Sequence, residues 1–373
     1  MNSISRLEIN LQNLKNNVSN MKSLLEPQTN FLAVVKANAY GHGVIQCAKA
    51  AIEAGANWLG VVEINSALEL RKADIKAPIL VLGYPEINLL NDASKNNISV
   101  PVISLDYAKE ISEMKFSGKL KVHLKVETGL NRLGMLEDEA LLACKVLQTN
   151  SNIEVEGIYS HLAAVEEGKI DFTFKQIDNF KKIIRAFENQ NIHIPLKHIA
   201  ASAGAMLVPE AHFDMVRDGI STYGLWPSGE NKESFGAQDF LEPVLSFKTQ
   251  IVQVKNIKAG EKVGYGCTFE AKNDMTIGIL PVGYFDGLDR GLSNKGEVLV
   301  DGARCPIIGR VAMNMIIIKL KVESEKLKAR QEVTIIGKDG DEEITVDEIA
   351  DKLGTINYEV VARLPEHLKR IYI

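Results

Sequence analysis

Cysteine is scarce in this chain of 373 residues: Cys47, Cys144, Cys267 and Cys305 lie far apart, with no Cys-x-x-Cys pair. That spacing excludes a disulfide framework and a thiolate zinc site, and leaves reduced thiols. No metal is expected. No apolar run reaches the roughly 20 residues of a membrane span, and Met-Asn-Ser-Ile-Ser-Arg-Leu-Glu at the start lacks the apolar core of a secretory signal. The expected location is therefore cytoplasmic. Basic residues are nowhere denser than pairs such as Lys181-Lys182, and the net charge is −5. Neither nucleic acid nor an anionic membrane is thus an expected partner. There is no internal repeat and no low-complexity tract.

What is present is an ordinary globular composition, 46% hydrophobic and 24% charged. The chain is long enough for two domains at about 100–200 residues each. Strand-like apolar runs at 31–36, 58–62, 79–82, 98–103, 120–126, 155–160, 196–200 and 213–216 alternate with amphipathic stretches such as 44–53, 137–148 and 174–189. Eight strands separated by helices predict an α/β fold, a (β/α)8 TIM-type barrel over 11–237, with an open doubly wound sheet as the alternative. No Gly-x-Gly-x-x-Gly follows the first strand, which weighs against dinucleotide binding. The polar stretch 228–238 marks the domain boundary. Beyond it, runs at 244–254, 276–280, 296–300, 315–320 and 332–336 predict a β-rich C-terminal domain, 238–373. One clear helix is expected there, opened by a capping box at Thr345 and Glu348 and closed by Gly354. The segment 1–10 is expected to add a strand to that domain.

The first barrel strand, Phe31-Leu-Ala-Val-Val-Lys36, ends in an amine where barrels of this kind place catalytic groups. Its plain alternative is a lysine that snorkels to water. Strands seven and eight run into Ala201-Ser202-Ala203-Gly204 and Arg217-Asp218-Gly219-Ile220-Ser221-Thr222, the pair of loops that commonly forms a phosphate site. A strand-end lysine facing a phosphate site suggests pyridoxal 5'-phosphate, which uses a lysine Schiff base and an acidic residue or arginine at the pyridine nitrogen. Arg217 is the available arginine. It does not give up its proton, so the ring nitrogen would stay largely unprotonated, a weaker electron sink suited to simple proton exchange at Cα. Lys125 ends the fifth strand, and Arg132, after a glycine turn, is a candidate for bidentate binding of a carboxylate or for the ring hydroxyl. His161 and His198 point to the same mouth, and two histidines beside Arg217 suit a relay. Tyr265, pinned between Gly264 and Gly266, reads from its surroundings alone as a bulge or hairpin.

Seven segments, in order along both domains, resemble the alanine racemase family of fold-type III pyridoxal-phosphate enzymes. They are Ala33-Val-Val-Lys-Ala-Asn-Ala-Tyr-Gly-His-Gly43, His123-Leu-Lys-Val-Glu-Thr-Gly-Leu-Asn-Arg-Leu-Gly134 and Val216-Arg-Asp-Gly-Ile220 with Tyr223-Gly224. They continue with Val263-Gly-Tyr-Gly266, Gly283-Tyr-Phe-Asp-Gly287 with Arg290, Gly309-Arg-Val-Ala-Met-Asn314 and Thr355-Ile-Asn-Tyr-Glu-Val360. Any one is weak; together they are specific.

The resemblance implies a homodimer with active sites shared between subunits, and a two-base racemisation of alanine. Lys36 would carry the cofactor and then act as one Cα base, with Tyr265 of the other subunit as the base on the opposite face. A free tyrosine, pKa about 10, is a poor base at neutral pH, and a chain of His161, Arg217 and His198 would assist it. Arg217 would also meet the pyridine nitrogen, and Arg132 the ring hydroxyl and the substrate carboxylate. Lys125 matches a lysine often carbamylated in the family. Tyr40, Ser202, Gly219, Ile220 and Tyr358 would hold the phosphate. Met313 would bind the substrate carboxylate through its backbone, with Tyr284, Arg290 and Ile356 lining the approach. The product would serve cell-wall peptides, or the reverse step catabolism.

Some positions depart from the family pattern. Ala201 stands where Asn is common, Ala312 and Asn314 replace Cys or Ser and Asp, Glu127 replaces Asp, and Val165-Glu166 stands for Ala-Asp. All leave the bases and cofactor anchors in place and bear on substrate preference, so a racemase of serine or of a broader range is the alternative. A decarboxylase of the same fold type would carry an acidic partner for the ring nitrogen, against Arg217. A cofactor-binding regulatory protein built on the barrel alone would lack 239–373 and Tyr265.

Overall fold

In the computed structural model, which describes residues 4–321 and 330–373, the chain opens with strand β1 (Arg6–Ile9) and then enters a run of strands separated by helices. These are β2 (Asn30–Val34), β3 (Trp58–Val61), β4 (Ile79–Val81), β5 (Ile98–Val102), β6 (Leu120–Lys125), β7 (Ile153–Tyr159), β8 (Leu196–His198) and β9 (Met215–Asp218). The eight strands β2 to β9 pair in parallel in the order β8-β7-β6-β5-β4-β3-β2-β9. Bonds from Asp214 N to Lys197 O and from Arg217 N to Ala200 O, each 3.0 Å, join the two ends of that ladder into a barrel. Parallel strands wrapped by helices are buried on both faces, which is why β3 and β4 are apolar without alternation and, like β5, wholly buried. Gly60 on β3 serves the packing: a Cβ there would stand 2.6 Å from Leu32 Cδ2. Outside, amphipathic helices such as Ile170–Asn189 turn Ile177, Phe180, Ile183 and Phe187 inward at helical spacing.

Contacts divide the chain into two units, one of Gln12–Ala39 with Val44–Glu242 and one of Met1–Leu11, Tyr40–Gly43 and Pro243–Ile373. The first is the barrel. Of the second, and of the segment read as 1–10, residues 1–3 lie outside the described residues, as do 322–329. The second unit is β-rich. β1 pairs antiparallel with β10 (Leu245–Gln250) and parallel with the last strand, Lys369–Tyr372. They belong to a seven-stranded sheet, beside which stands a three-stranded sheet built on Gln253–Ile257, Met275–Leu280 and Ile316–Lys319.

Several local expectations are corrected. The first barrel strand stops at Val34, so Lys36 stands beyond it. The last one starts late, after Phe213 takes a left-handed φ of 46°, and runs to Asp218, so Arg217 lies inside the strand and not after it. The polar stretch 228–238 holds a helix that its composition did not announce: Ser228 Oγ accepts from Asn231 N (3.1 Å) and caps Gly229–Phe235, which Gly236 ends. The run 244–254 is two strands. Ile251 N donates to Gln331 O while Val252 N donates to Ile279 O, so the chain changes sheets between adjacent residues. At Thr345 only half of the expected capping box forms. Its Oγ accepts from Glu348 N at 3.0 Å, but the Glu348 carboxylate is taken by Arg304 and Lys352, 2.8 and 2.7 Å away. Gly354 ends that helix as expected, and a second one, Asn357–Ala362, follows it.

Candidate active site

Beyond β2 the chain turns in an unusual way. Ala37, Asn38, Ala39 and Tyr40 have φ of 52°, 52°, 54° and 51°, a single turn of left-handed helix closed by Ala39 N donating to Val35 O at 3.0 Å. Each non-glycine residue in that region costs about 1–2 kcal/mol, and such strain persists where its surroundings over-determine it. Here Asn38 Oδ1 accepts from Val44 N at 2.8 Å, linking the turn to the first residue of helix Val44–Glu53. Tyr223 Oη donates to Val34 O at 2.9 Å, fixing the strand end just before it. Lys36 heads this turn. Partial desolvation lowers its pKa, and the guanidinium groups of Arg132 and Arg217 lower it further.

Arg217 is the hub of the mouth. It is buried, and Nη1 donates to His198 Nδ1 at 2.7 Å while Nη2 reaches Ser160 O, Ile199 O and His161 Nδ1 at 2.9, 3.0 and 3.1 Å. These bonds engage both Nη1 and Nη2, and of the five N–H donors they leave over Nε–H and one N–H of Nη1. Burial, and then the Arg217 charge, push His161 and His198 well below the ordinary histidine range. The relay read from the sequence is thus one connected set.

Lys125, at the end of β6, is only 7% exposed. Its amine stands 4.2 Å over the ring of Tyr159, which stacks on His198 at 4.8 Å. Burial first, then Arg217 and Arg132, lower its pKa well below that of a free lysine. Arg132 itself is exposed, on a loop organised by Glu127, whose carboxylate accepts from the backbone N–H of Gly129 and of Asn131. The two loops read as a phosphate site also meet: Gly219 N donates to Ser202 Oγ at 2.9 Å, and Ile220 is buried beside them.

The structure therefore gathers Lys36, Lys125, Arg132, His161, His198, Arg217, Ser202, Gly219 and Ile220 in the barrel unit. Tyr40, Tyr265, Tyr284, Arg290, Met313, Ile356 and Tyr358 lie in the other. There Tyr40 and Tyr358 approach each other, ring centroids 6.3 Å apart. Tyr265 sits at the tip of the hairpin Lys262–Val263 and Phe269–Glu270, between Gly264 and Gly266 at φ 73°, and is 74% exposed. A Cβ on Gly266 would touch the Arg310 side chain at 3.3 Å, and Phe285 N donates to Met313 O at 3.0 Å. Tyr265, Tyr284, Phe285, Met313, Met315 and Ile356 are all exposed large apolar side chains of this unit.

The sequence reading passed over His123, Glu156 and Tyr159 as functional groups. A period of two was the available signal, since His123 and Lys125 share one face of β6, and Gly157 and Tyr159 one face of β7. Among the described residues no helix is long and apolar enough to cross a membrane, and no group of three or more His, Cys, Asp or Glu is placed to hold a metal ion.

Residues 9–227 match the family described as the N-terminal domain of alanine racemase, and residues 244–372 its C-terminal domain. The chain is 40% identical to an alanine racemase of Methanococcus maripaludis and 39% identical to one of Desulforamulus reducens, over 98% of each chain. Among solved structures, the alanine racemase of Bacillus anthracis with bound L-Ala-P superposes with a TM-score of 0.95 at 34% identity, covering 100% of this chain and 96% of that one. That of E. faecalis gives 0.93 at 34% identity, covering 99% and 98%.

Proposed function

Since the chain belongs to the alanine racemase family, we propose that it interconverts L- and D-alanine with bound pyridoxal phosphate, with Lys36 and Tyr265 of the partner subunit as opposed bases. The observation that carries this reading is the surroundings of the Lys36 amine: burial first, and then the cations Arg132 and Arg217, lower its pKa, and the hydrogen bonds of Arg217 go to two carbonyl oxygens and two imidazole nitrogens.

The residues suit that cofactor. A lysine with lowered pKa is a better nucleophile for an aldehyde, and an N–H of Arg217 left over by these bonds suits an unprotonated pyridine nitrogen, because guanidinium only donates. Ser202, Gly219 and Ile220 would hold the phosphate in the barrel unit. Bound there, pyridoxal phosphate supplies the electron sink that makes the Cα hydrogen of an amino acid acidic.

The chain's own residues do the rest. Lys36 Nζ takes or returns the Cα proton on one face, and the phenol oxygen of the partner subunit's Tyr265 does so on the other, which inversion requires. His161, accepting from Arg217 at Nδ1, carries its hydrogen on Nε2 and offers that donor to the phenolate. Arg132 binds the substrate carboxylate as a bidentate donor, beside the backbone of the partner's Met313, with Tyr284, Arg290 and Ile356 along the approach. The depressed pKa of Lys125 favours its neutral amine, the form that takes up carbon dioxide as a carbamate with release of a proton. That carbamate would be the anion that holds Arg132. The exposed apolar residues around Tyr265 would form the homodimer face, the enzyme would work in the cytoplasm, and its D-alanine would feed peptidoglycan.

The test is to mix the purified protein with pyridoxal phosphate and L-alanine and to follow D-alanine, with L-serine and L-lysine alongside. Dominant D-alanine formation is expected. Faster serine or lysine turnover would move the reading to a broader racemase, with exposed Asn314 beside Met313 as the first suspect. No turnover of any of the three would refute racemisation.

A further inference from the structure

The hydrogen-bond chain around Arg217 does not stop at His198. His198 Nε2 lies 2.9 Å from His123 Nδ1, and His123 Nε2 lies 3.3 Å from Glu156 Oε2. Both oxygens of Glu156 are engaged, Oε2 by Ser99 Oγ at 2.6 Å and Oε1 by Lys121 Nζ at 3.1 Å. His123 and His198 are fully buried. We propose that Glu156 and His123 are positioning residues for Arg217: through His198 they lock a one-way hydrogen-bond chain that fixes both imidazole tautomers and keeps the guanidinium in place.

The direction follows from donor and acceptor chemistry at both ends. Arg217 only donates, so His198 Nδ1 must accept. A neutral His198 then carries its hydrogen on Nε2 and donates it to His123 Nδ1. His123 in turn carries its hydrogen on Nε2 and donates to Glu156, which as a carboxylate only accepts. Starting from Glu156 gives the same assignment. A doubly protonated His123 would break it, since its Nδ1–H would force His198 to present N–H against the Arg217 donors.

Packing supports the same arrangement. His123 and Gly157 are paired residues of β6 and β7, and a Cβ at 157 would fall 2.2 Å from His123 Nδ1, so the glycine makes the space for this ring. Trp58 meets the ring edge-on at 5.9 Å, and Tyr159 stacks on His198 within 7° of parallel. Glu156 is the anion at the far end of this hydrogen-bond chain, two imidazoles from Arg217, and Lys121 is its direct ion-pair partner. Burial lowers the pKa of both histidines, in keeping with the neutral forms the chain requires.

The inference rests on the reading that Arg217 serves the bound cofactor, and the test separates the two. Long-range proton–nitrogen NMR of the full-length protein labelled at its seven histidines, without substrate, reads each tautomer directly. His123 and His198 are expected neutral with hydrogen on Nε2. Glu156→Gln, whose amide both donates and accepts, is expected to mix or invert those tautomers and to lower kcat for alanine about tenfold with KM nearly unchanged. A doubly protonated or Nδ1–H form at either residue in the unaltered protein overturns the proposal, even if no variant folds. So does a Glu156→Gln protein with unchanged tautomers or unchanged kcat. The expected tautomers in a protein that does not racemise alanine would uphold the ordered chain and end the racemase reading instead.

Discussion

Arg217 in the barrel is buried and makes four hydrogen bonds to fixed partners, whereas Tyr265 in the β-rich unit stands 74% exposed at a hairpin tip. The first group has its position set by strands β7, β8 and β9 before anything binds. The second stands at a turn whose flanking glycines take φ of 73°, and its side chain is open to solvent. One region is preorganised; on the proposed function the other is completed by assembly, and the proposed two-base reaction would need both.

The comparison is broken most severely at Lys36. Lys36→Ala is expected to abolish alanine racemisation, by at least about 10^3-fold in kcat/KM, in an assay of D-alanine formation. Tyr265→Phe tests the other region, with an expected loss of about 10^2-fold or more in kcat. Exchange of the Cα hydrogen with deuterated solvent should persist there for the enantiomer that Lys36 serves; full racemisation at the unaltered rate would remove Tyr265 as a base.

Smaller effects sharpen the contrast. Arg132→Lys keeps the charge but loses the planar fork, so KM for alanine should rise about tenfold with a lesser change in kcat. Acid should reveal how completely the barrel interior is sealed. His123 and His198 have pKa values lowered in the folded state, burial being the first cause, and return to about 6.5 on unfolding. Below that pH the unfolded chain binds more protons, so stability is lost as pH falls through 6.5, by up to about 1.4 kcal/mol per pH unit for each. Urea midpoints at fixed protein concentration between pH 7.5 and 5.5 measure this. Glu156 has a depressed folded pKa despite its burial, through hydrogen bonds from His123 and Ser99. Its contribution is lost only as pH falls into and below the ordinary carboxylate range, so a midpoint that holds steady down to pH 5.5 would show that the histidines are not sealed. Ala37→Gly, which relieves one left-handed residue at the cost of a looser unfolded chain, should stabilise by less than about 1 kcal/mol in the same measurement.

Much of this was legible in the residues. The alternation of apolar runs and amphipathic stretches sufficed for the barrel, and Lys36 and Arg217 stood out because a charge closing an apolar run is conspicuous. The split of 244–254 was hidden because apolar residues announce burial and say nothing of which sheet buries them. The Glu156–His123 bond was hidden for another reason: it depends on which residues of β6 and β7 lie side by side, and the register slips between Val122 and His123. Tyr265 is the converse case. Its own loop reads as an ordinary hairpin tip, which it is, and only the resemblance of the whole chain singled it out.

Four successive residues after Lys36 wind in the sense that mirror-image amino acids prefer. A D-alanyl residue placed at position 37 or 39 by chemical ligation would occupy its own helical basin, where an ordinary helix would reject it. A β-branched L-residue there would meet the opposite fate. The short link behind the barrel's first strand is therefore a stereochemical filter, selecting by the handedness of the α-carbon more than by the chemistry of the side chain it bears.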